Sequence, residues 1–254
     1  FGIAFAQAAF PTLAEQAAKK DTVGFRHTLT KSFRYIMFFV LPISTLFFLL
    51  PALIISVLFG NGAFDWNDTI ATHQTFSFLV MSVFAQAAIP LLTRAFYAQQ
   101  NTKTPVIVSL ISIVLNAGLA FPLAHMYGVR GLAIAFSASA VVQLAILLGV
   151  LHWDLDGFDD KQVFISVSKI AVAAIAAAGV AQALKVPIAA VVDMQRFWGI
   201  ATQLVGTFTG GFLTYLGVCM LLKIDELKIV KKYIPRRFKL SPGTETSRFL
   251  GLME

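Results

Sequence analysis

Thr104–Val129 reads TPVIVSLISIVLNAGLAFPLAHMYGV, 26 residues without an Asp, Glu, Lys or Arg. A helix rises about 1.5 Å per residue and the hydrocarbon core of a bilayer is about 30 Å thick, so roughly 20 apolar residues make one crossing. Five further uncharged runs flank it: Tyr35–Phe64, Thr69–Thr93, Gly131–Trp153, Ile170–Leu184 and Phe197–Leu222. Ile170–Leu184 extends back to Gln162 if Lys169 reaches its ammonium to the interface. In lipid every backbone N–H and C=O must be bonded inside its own segment, which selects helices. The expected fold is all-α, a polytopic transmembrane helix bundle with six complete spans.

Composition agrees. Hydrophobic residues make up 57% of the 254-residue chain and charged ones 13%, where a soluble domain carries about a quarter charged. A net charge of +7 raises nucleic acid as a partner, but the basic residues alternate along the chain instead of forming a patch, so none is expected. Lys19, Lys20, Arg26, Lys31 and Arg34 precede the first full span. Arg94 and Lys103 fall between the second and third, Lys161 and Lys169 between the fourth and fifth, and eight more in the tail from Lys223. Seventeen thus gather on one side, against Arg130, Lys185 and Arg196 on the other. The positive-inside rule puts the rich side, with the C-terminus, in the cytoplasm.

Phe1–Phe10 is apolar, stops at Pro11 and is too short to span, so it reads as the end of a further helix and the chain as the C-terminal part of something longer. Pro11–Arg34 reads as a polar loop with helical character. Pro42, Pro51, Pro90 and Pro122 lie within spans, where each removes an intrahelical bond. Phe59–Gly60–Asn61–Gly62 is a turn, Thr104–Pro105 an N-cap followed by proline, and Tyr127–Gly131 a tight turn. Three parts are expected: residues 1–153, a pair of helices over 154–222, and a basic tail over 223–254. In the last span Gly206 and Gly210 pair in a small-residue face, expected to pack closely or to wall a groove.

Chemistry is sparse. Cys219 is the single cysteine, the four histidines are scattered, and Asp154–Asp160 lacks the ligand spacing of a calcium loop, so no metal or cofactor is expected. No nucleophile–base pair or phosphate-cradling glycine loop is evident, and no charge lies deep in a complete span. Gln86, Asn116, Gln143 and Gln203 are the deep polar side chains, and interhelical hydrogen bonding is their usual role. A transporter-type bundle is expected rather than an enzyme. Candidate substrate-binding residues are Arg94, Lys103 and Asn116; two cations in one short connector suit a dianionic group.

Four stretches resemble the MurJ/MviN lipid II flippases of the multidrug/oligosaccharidyl-lipid/polysaccharide exporter superfamily. They are Ala8–Leu13 (AAFPTL), Leu58–Phe64 (LFGNGAF), Arg94–Pro105 (RAFYAQQNTKTP) and Gly128–Ala135 (GVRGLAIA). The similarity runs from Phe1 to about Leu151. It implies the second lobe of a two-lobe transporter, from the end of one helix, plus two extra C-terminal helices forming a groove for a lipid tail. It implies a partner, the lipid-linked peptidoglycan precursor, moved across the bacterial cytoplasmic membrane by alternating access among membrane lipids, together with an N-terminal lobe carrying the main cavity arginines. Sodium-coupled members carry an Asn, an Asp four residues on, and a Thr in the next helix. Asn116 matches the first, whereas Ala120 and Phe136 stand at the other two, which puts sodium coupling in doubt. An exporter of another lipid-linked saccharide or drug, a membrane glycosyl or phosphoglycosyl transferase, and a non-transporting membrane scaffold remain alternative readings.

The charge asymmetry sets a topology test. In a background lacking Cys219, a cysteine at Asn67 should react with an impermeant thiol reagent in intact cells, and one at Ser241 should not; the reverse order overturns the orientation.

Overall fold

The computed structural model describes residues 2–59, 66–155, 160–192 and 197–227. Phe1–Ile224 forms one compact unit. Asp225–Glu254 forms a second, so nearly all of the expected tail lies outside the described residues, as do the Gly60–Asn61–Gly62 turn and 156–159. The first unit is helical: α1 Gly2–Ala18, α2 Thr22–Leu49, α3 Pro51–Phe59, α4 Trp66–Val80, α5 Val83–Ala98, α6 Lys103–Tyr127, α7 Val129–Asp154, α8 Asp160–Val191 and α9 Phe197–Leu221. Among the described residues six stretches are long and apolar enough to cross a membrane, α4 and α5 counting together as Ile70–Ala98.

The spans are where charge-free runs put them, but several helix limits differ. α1 continues through Pro11 to Ala18, and α2 starts at Thr22, thirteen residues before the uncharged run, so Pro11–Arg34 is two helices and a turn. Phe25, Leu29, Phe33 and Ile36 recur at helical spacing and are buried, while Lys31 is exposed between them. An amphipathic helix thus continues past the apolar stretch. α8 likewise runs beyond Lys169 and Lys185 at both ends.

α2 is the hub. It packs along α1, α5, α8, α4 and α9. α1 packs on α5 and α2, and its buried Ala6, Ala9 and Leu13 share one core cluster with Ala85, Ala88, Leu92 and Ala95 of α5. A methyl group on Gly2 would run into the backbone of Ala87, so the two helices touch main chain to main chain. Close approach of this kind holds helices together where lipid removes most of the hydrophobic driving force. α6 and α7 form an antiparallel pair around Gly128, whose φ of +62° only glycine adopts freely, and Gly131, where a side chain would meet the Leu123 carbonyl. α8 and α9 form the other pair, and α8 lies along α2.

At two interruptions of the spans the released backbone carbonyl meets a hydroxyl from another helix, and at the α2–α3 junction a lysine joins in. Pro42 has no N–H, so the Phe38 carbonyl one turn earlier lacks its intrahelical partner. The Tyr215 hydroxyl of α9 donates to it at 2.7 Å, and that ring lies 5.5 Å from the Phe38 ring. Between α2 and α3 the helical bonds run on from Leu50 to Leu46 and from Ile54 to Leu50, and the Lys185 ammonium of α8 donates to the Leu49 carbonyl at 3.0 Å. At the α4–α5 interruption the Ser82 N–H turns to Leu79, and the Phe78 carbonyl receives the Ser137 hydroxyl of α7 at 2.7 Å.

Tyr215 is 1% exposed, so its hydroxyl has no water to replace. Tyr215→Phe should lower unfolding stability in detergent by about 1–3 kcal/mol, the cost of leaving a buried carbonyl unmet. Thermal melts of the purified variant check it.

Candidate functional site

Two cavities among the described residues sit at different levels of the bundle. The larger, of about 730 Å³, opens where the α1–α2 turn meets the ends of α5 and α7. Phe10, Phe25, Tyr97 and Leu155 make its apolar wall, and Lys20, Asp21, Gln99, Gln100 and Asp154 bring polar groups. Its rim is built by turn chemistry. Lys20 at φ 56° and Gln100 at φ 60° each occupy the left-handed position that ends a helix. The next residue's N–H bonds five residues back, Asp21 to Gln16 and Asn101 to Phe96. Asp21 then caps α2 by accepting from the Gly24 N–H at 2.9 Å. Asn101 does the same for α6, accepting from the Thr104 N–H at 3.1 Å and donating to the Thr104 hydroxyl at 2.9 Å. The capping side chain is therefore Asn101, not Thr104 as the sequence suggested, and α6 starts at Lys103.

This mouth mixes one ammonium with two carboxylates. Gln16 Oε1 and Gln99 Nε2 are buried in its wall without a protein partner. Glu15 and Lys19, a turn away, pair at 2.6 Å in full solvent. The hydrogen bond from Lys19 holds the Glu15 carboxyl below its ordinary range, and the same bond holds the Lys19 ammonium above its own. The smaller cavity, about 220 Å³, lies beside the α4–α5 interruption between Leu41, Phe48, Val80, Met81 and Phe84. Its hydroxyls are spent on their own helix, Ser44 on Val40 and Thr45 on Leu41. What remains is hydrocarbon, which fits an acyl or prenyl chain and not a headgroup.

The structure separates the candidate residues. Arg94 is half-buried one turn from the end of α5, and its Nη1 donates to the Ile3 carbonyl of α1 at 3.1 Å. Lys103 is exposed as the first residue of α6, at the same end of the bundle. Asn116 is half-buried on α6, thirteen residues and about 20 Å further along the axis. None of the three lines either cavity. Ala120 is half-buried a turn beyond Asn116, and Phe136 is 41% exposed. Of the other deep amides, Gln143 donates to Ser109 across α6 and α7, Gln86 to Ser82, and Gln203 to the Lys185 carbonyl.

Sequence reasoning passed over Tyr215, Lys185 and Ser137. A proline within a span names the carbonyl four residues earlier as an orphan, and a hydroxyl or ammonium in a neighbouring apolar run is the donor to seek. Gly206 and Gly210 face α8 as expected, and the more enclosed contact of α9 falls on the neighbouring Gly211. The buried stripe of α9 is Gly199, Gln203, Thr207, Gly211, Tyr215 and Cys219, one residue every four. A methyl on Gly211 would meet Leu46 Cδ2 at 2.8 Å, Ala181 Cβ at 3.1 Å and the Ala177 carbonyl at 3.3 Å. At Gly206 and Gly210 it would meet the tips of Ile188 and Leu184, which are flexible.

A bundle of membrane-length helices, with an interrupted span and a polar mouth at one end, defines a polytopic helical membrane protein. The sequence profile of the family described as Lipid II flippase MurJ matches residues 1–201. A probable lipid II flippase MurJ of Vibrio cholerae is 30% identical over 235 residues, covering 90% of this chain and 44% of that protein. The corresponding protein of Haemophilus influenzae is 32% identical over 186 residues, covering 69% of this chain and 36% of its own length. The fold is shared with a solved lipid II flippase MurJ in an inward closed conformation, at a TM-score of 0.69 and 20% identity, over 89% of this chain and 44% of that one. The chain belongs to the MurJ lipid II flippase family, and it spans less than half the length of these relatives.

The α9 register predicts a contrast. Gly211→Leu should sharply reduce the detergent-extracted folded yield, because overpacking against backbone costs about 1–3 kcal/mol, whereas Gly210→Leu should keep most of it. Size-exclusion profiles of the two variants decide the register.

Proposed function

We propose that the protein containing this chain flips a lipid-linked peptidoglycan precursor across the bacterial cytoplasmic membrane, and so serves cell-wall biogenesis and cell shape. The family match over residues 1–201 carries this reading. In it, residues 1–153 complete the second lobe of the transporter, residues 154–222 add the extra helix pair, and residues 223–254 form a basic cytoplasmic tail. A first lobe works against this one, and the cargo passes between them by alternating access. The basic-residue asymmetry supports a cytoplasmic C-terminus, and in this reading the 730 Å³ mouth opens at the cytoplasmic surface. The role proposed is transport and not catalysis.

Arg94 and Lys103 attract the precursor's pyrophosphate at that surface, and Asn116 contacts cargo deeper in the bundle. Arg94 keeps part of its fork free for this, since one of its five N–H groups meets Ile3.

Expression of the full-length protein should restore growth to cells depleted of their own lipid II flippase. Continued lysis, with precursor accumulating on the cytoplasmic side, contradicts the proposal, and rescue of a different saccharide export pathway favours the related exporter. In that protein, Arg94→Ala with Lys103→Ala should reduce the flipping rate about tenfold at normal membrane abundance, the loss of about 1.4 kcal/mol of charge-assisted contact. Unchanged flipping would leave both as topology anchors.

A further inference from the structure

We propose that the interruption between α4 and α5 is a hinge, and that Ser137 of α7 is the latch that holds it interrupted. The span Ile70–Ala98 breaks at Met81–Ser82. Sharp breaks in helices come from proline, from glycine and serine, or from a side chain inserted into the hydrogen-bond ladder. The stretch Phe78–Phe84 holds no proline and no glycine. A side chain from another helix occupies the ladder instead. The Ser137 hydroxyl donates to the Phe78 carbonyl at 2.7 Å, where the Ser82 N–H would bond in a continuous helix, and that N–H turns to the Leu79 carbonyl at 3.1 Å. The Ser82 hydroxyl lies 3.2 Å from that of Ser137, donates to Leu79 and accepts from Gln86. Ser82 is fully buried and Ser137 is 9% exposed, so water does not compete for these bonds.

This break differs from the one at Pro42, where no N–H exists to restore the ladder. Here the ladder can close. When the Ser137 hydroxyl turns back to a carbonyl of its own helix, as those of Ser44 and Ser77 do, the Ser82 N–H is free to return to Phe78. The Phe78 carbonyl has a partner in both forms. Two forms that satisfy the same buried groups lie close in free energy, which is the condition for a two-state element.

The two halves differ in freedom. α5 is anchored, with Ala85, Ala88, Leu91, Leu92, Ala95 and Phe96 buried. Of residues 70–80 in α4, only Val80 is buried. The 220 Å³ cavity borders the interruption at Val80, Met81 and Phe84 and gives those side chains room to change direction. α4 is therefore the half that moves. The hinge rests on these bonds and not on the cargo, so it stands or falls apart from the transport reading; within that reading it gives the lobe a moving part.

The test uses the full-length protein in lipid nanodiscs, without cargo and in a cysteine-free background. Spin labels are attached through p-acetylphenylalanine in place of Ile70 and Tyr97, both exposed. A continuous helix between them spans about 40 Å. Pulsed electron spin resonance should give that distance and a second one. Ser137→Ala leaves the Phe78 carbonyl unmet in the interrupted form alone, so it should shift the ratio about fivefold toward the continuous form. Ser137→Thr keeps a hydroxyl and should leave the ratio unchanged. A single distance, the same in the wild type and in Ser137→Ala, overturns the hinge, and so does an unchanged ratio in a folded Ser137→Ala protein. An independent reading comes from Ser82→Cys with Ser137→Cys. Their disulfide should leave only the distance of the interrupted form, and reduction should bring the other back. Two distances that both persist in the oxidised protein overturn the latch.

Discussion

An unmet backbone carbonyl in lipid has no water to turn to, and this chain places several of them inside its spans. Pro42 and Pro51 interrupt α2 and α3, and the α4–α5 span is broken at Met81–Ser82 without a proline. The structure meets the Phe38, Leu49 and Phe78 carbonyls with Tyr215, Lys185 and Ser137. Each donor comes from a helix distant in sequence, so each repair is also a tertiary contact. The order of helices around α2 follows from it: α9 and α8 supply donors to α2, and α7 supplies one to the interrupted span.

That arrangement lets the spans be irregular without being loose. An interrupted helix whose ends are both bonded keeps one register, and the same interruption gives each half its own direction. The small apolar cavity lies beside the α4–α5 interruption at Met81. At the other end, the polar mouth is assembled by capping turns, with Lys20 and Gln100 in left-handed positions and Asp21 and Asn101 as caps.

The spans themselves were legible, because absence of charge over about 20 residues has one physical meaning. The helix limits were not, since a charge-free run measures lipid contact and not helix length. Arg26, Lys31 and Arg34 sit on α2 without ending it, and Lys169 and Lys185 sit within α8. Pro11 suggests a stop, yet α1 passes through it. The Gly206–Gly210 pair faces α8 as its spacing suggests, but the contact shared by α8 and α2 depends on rotation about the helix axis, and Gly211 occupies it. The candidate site was legible only as residue types. Arg94 and Lys103 were recognisable as cations of one connector, whereas the polar mouth depends on the α1–α2 turn and on Asp154, far apart in sequence.

The central claim is that donors to interrupted spans fix the helix order, and a double-mutant cycle on Pro42 and Tyr215 tests it most directly. Pro42→Ala restores an N–H opposite the Phe38 carbonyl, so the Tyr215 hydroxyl then loses its particular value there. Unfolding free energies of the wild type, both single variants and the double variant should show that Tyr215→Phe costs about 1 kcal/mol or more less in the Pro42→Ala background than in the wild type. Additive costs, with Tyr215→Phe equally damaging in both backgrounds, would contradict the account.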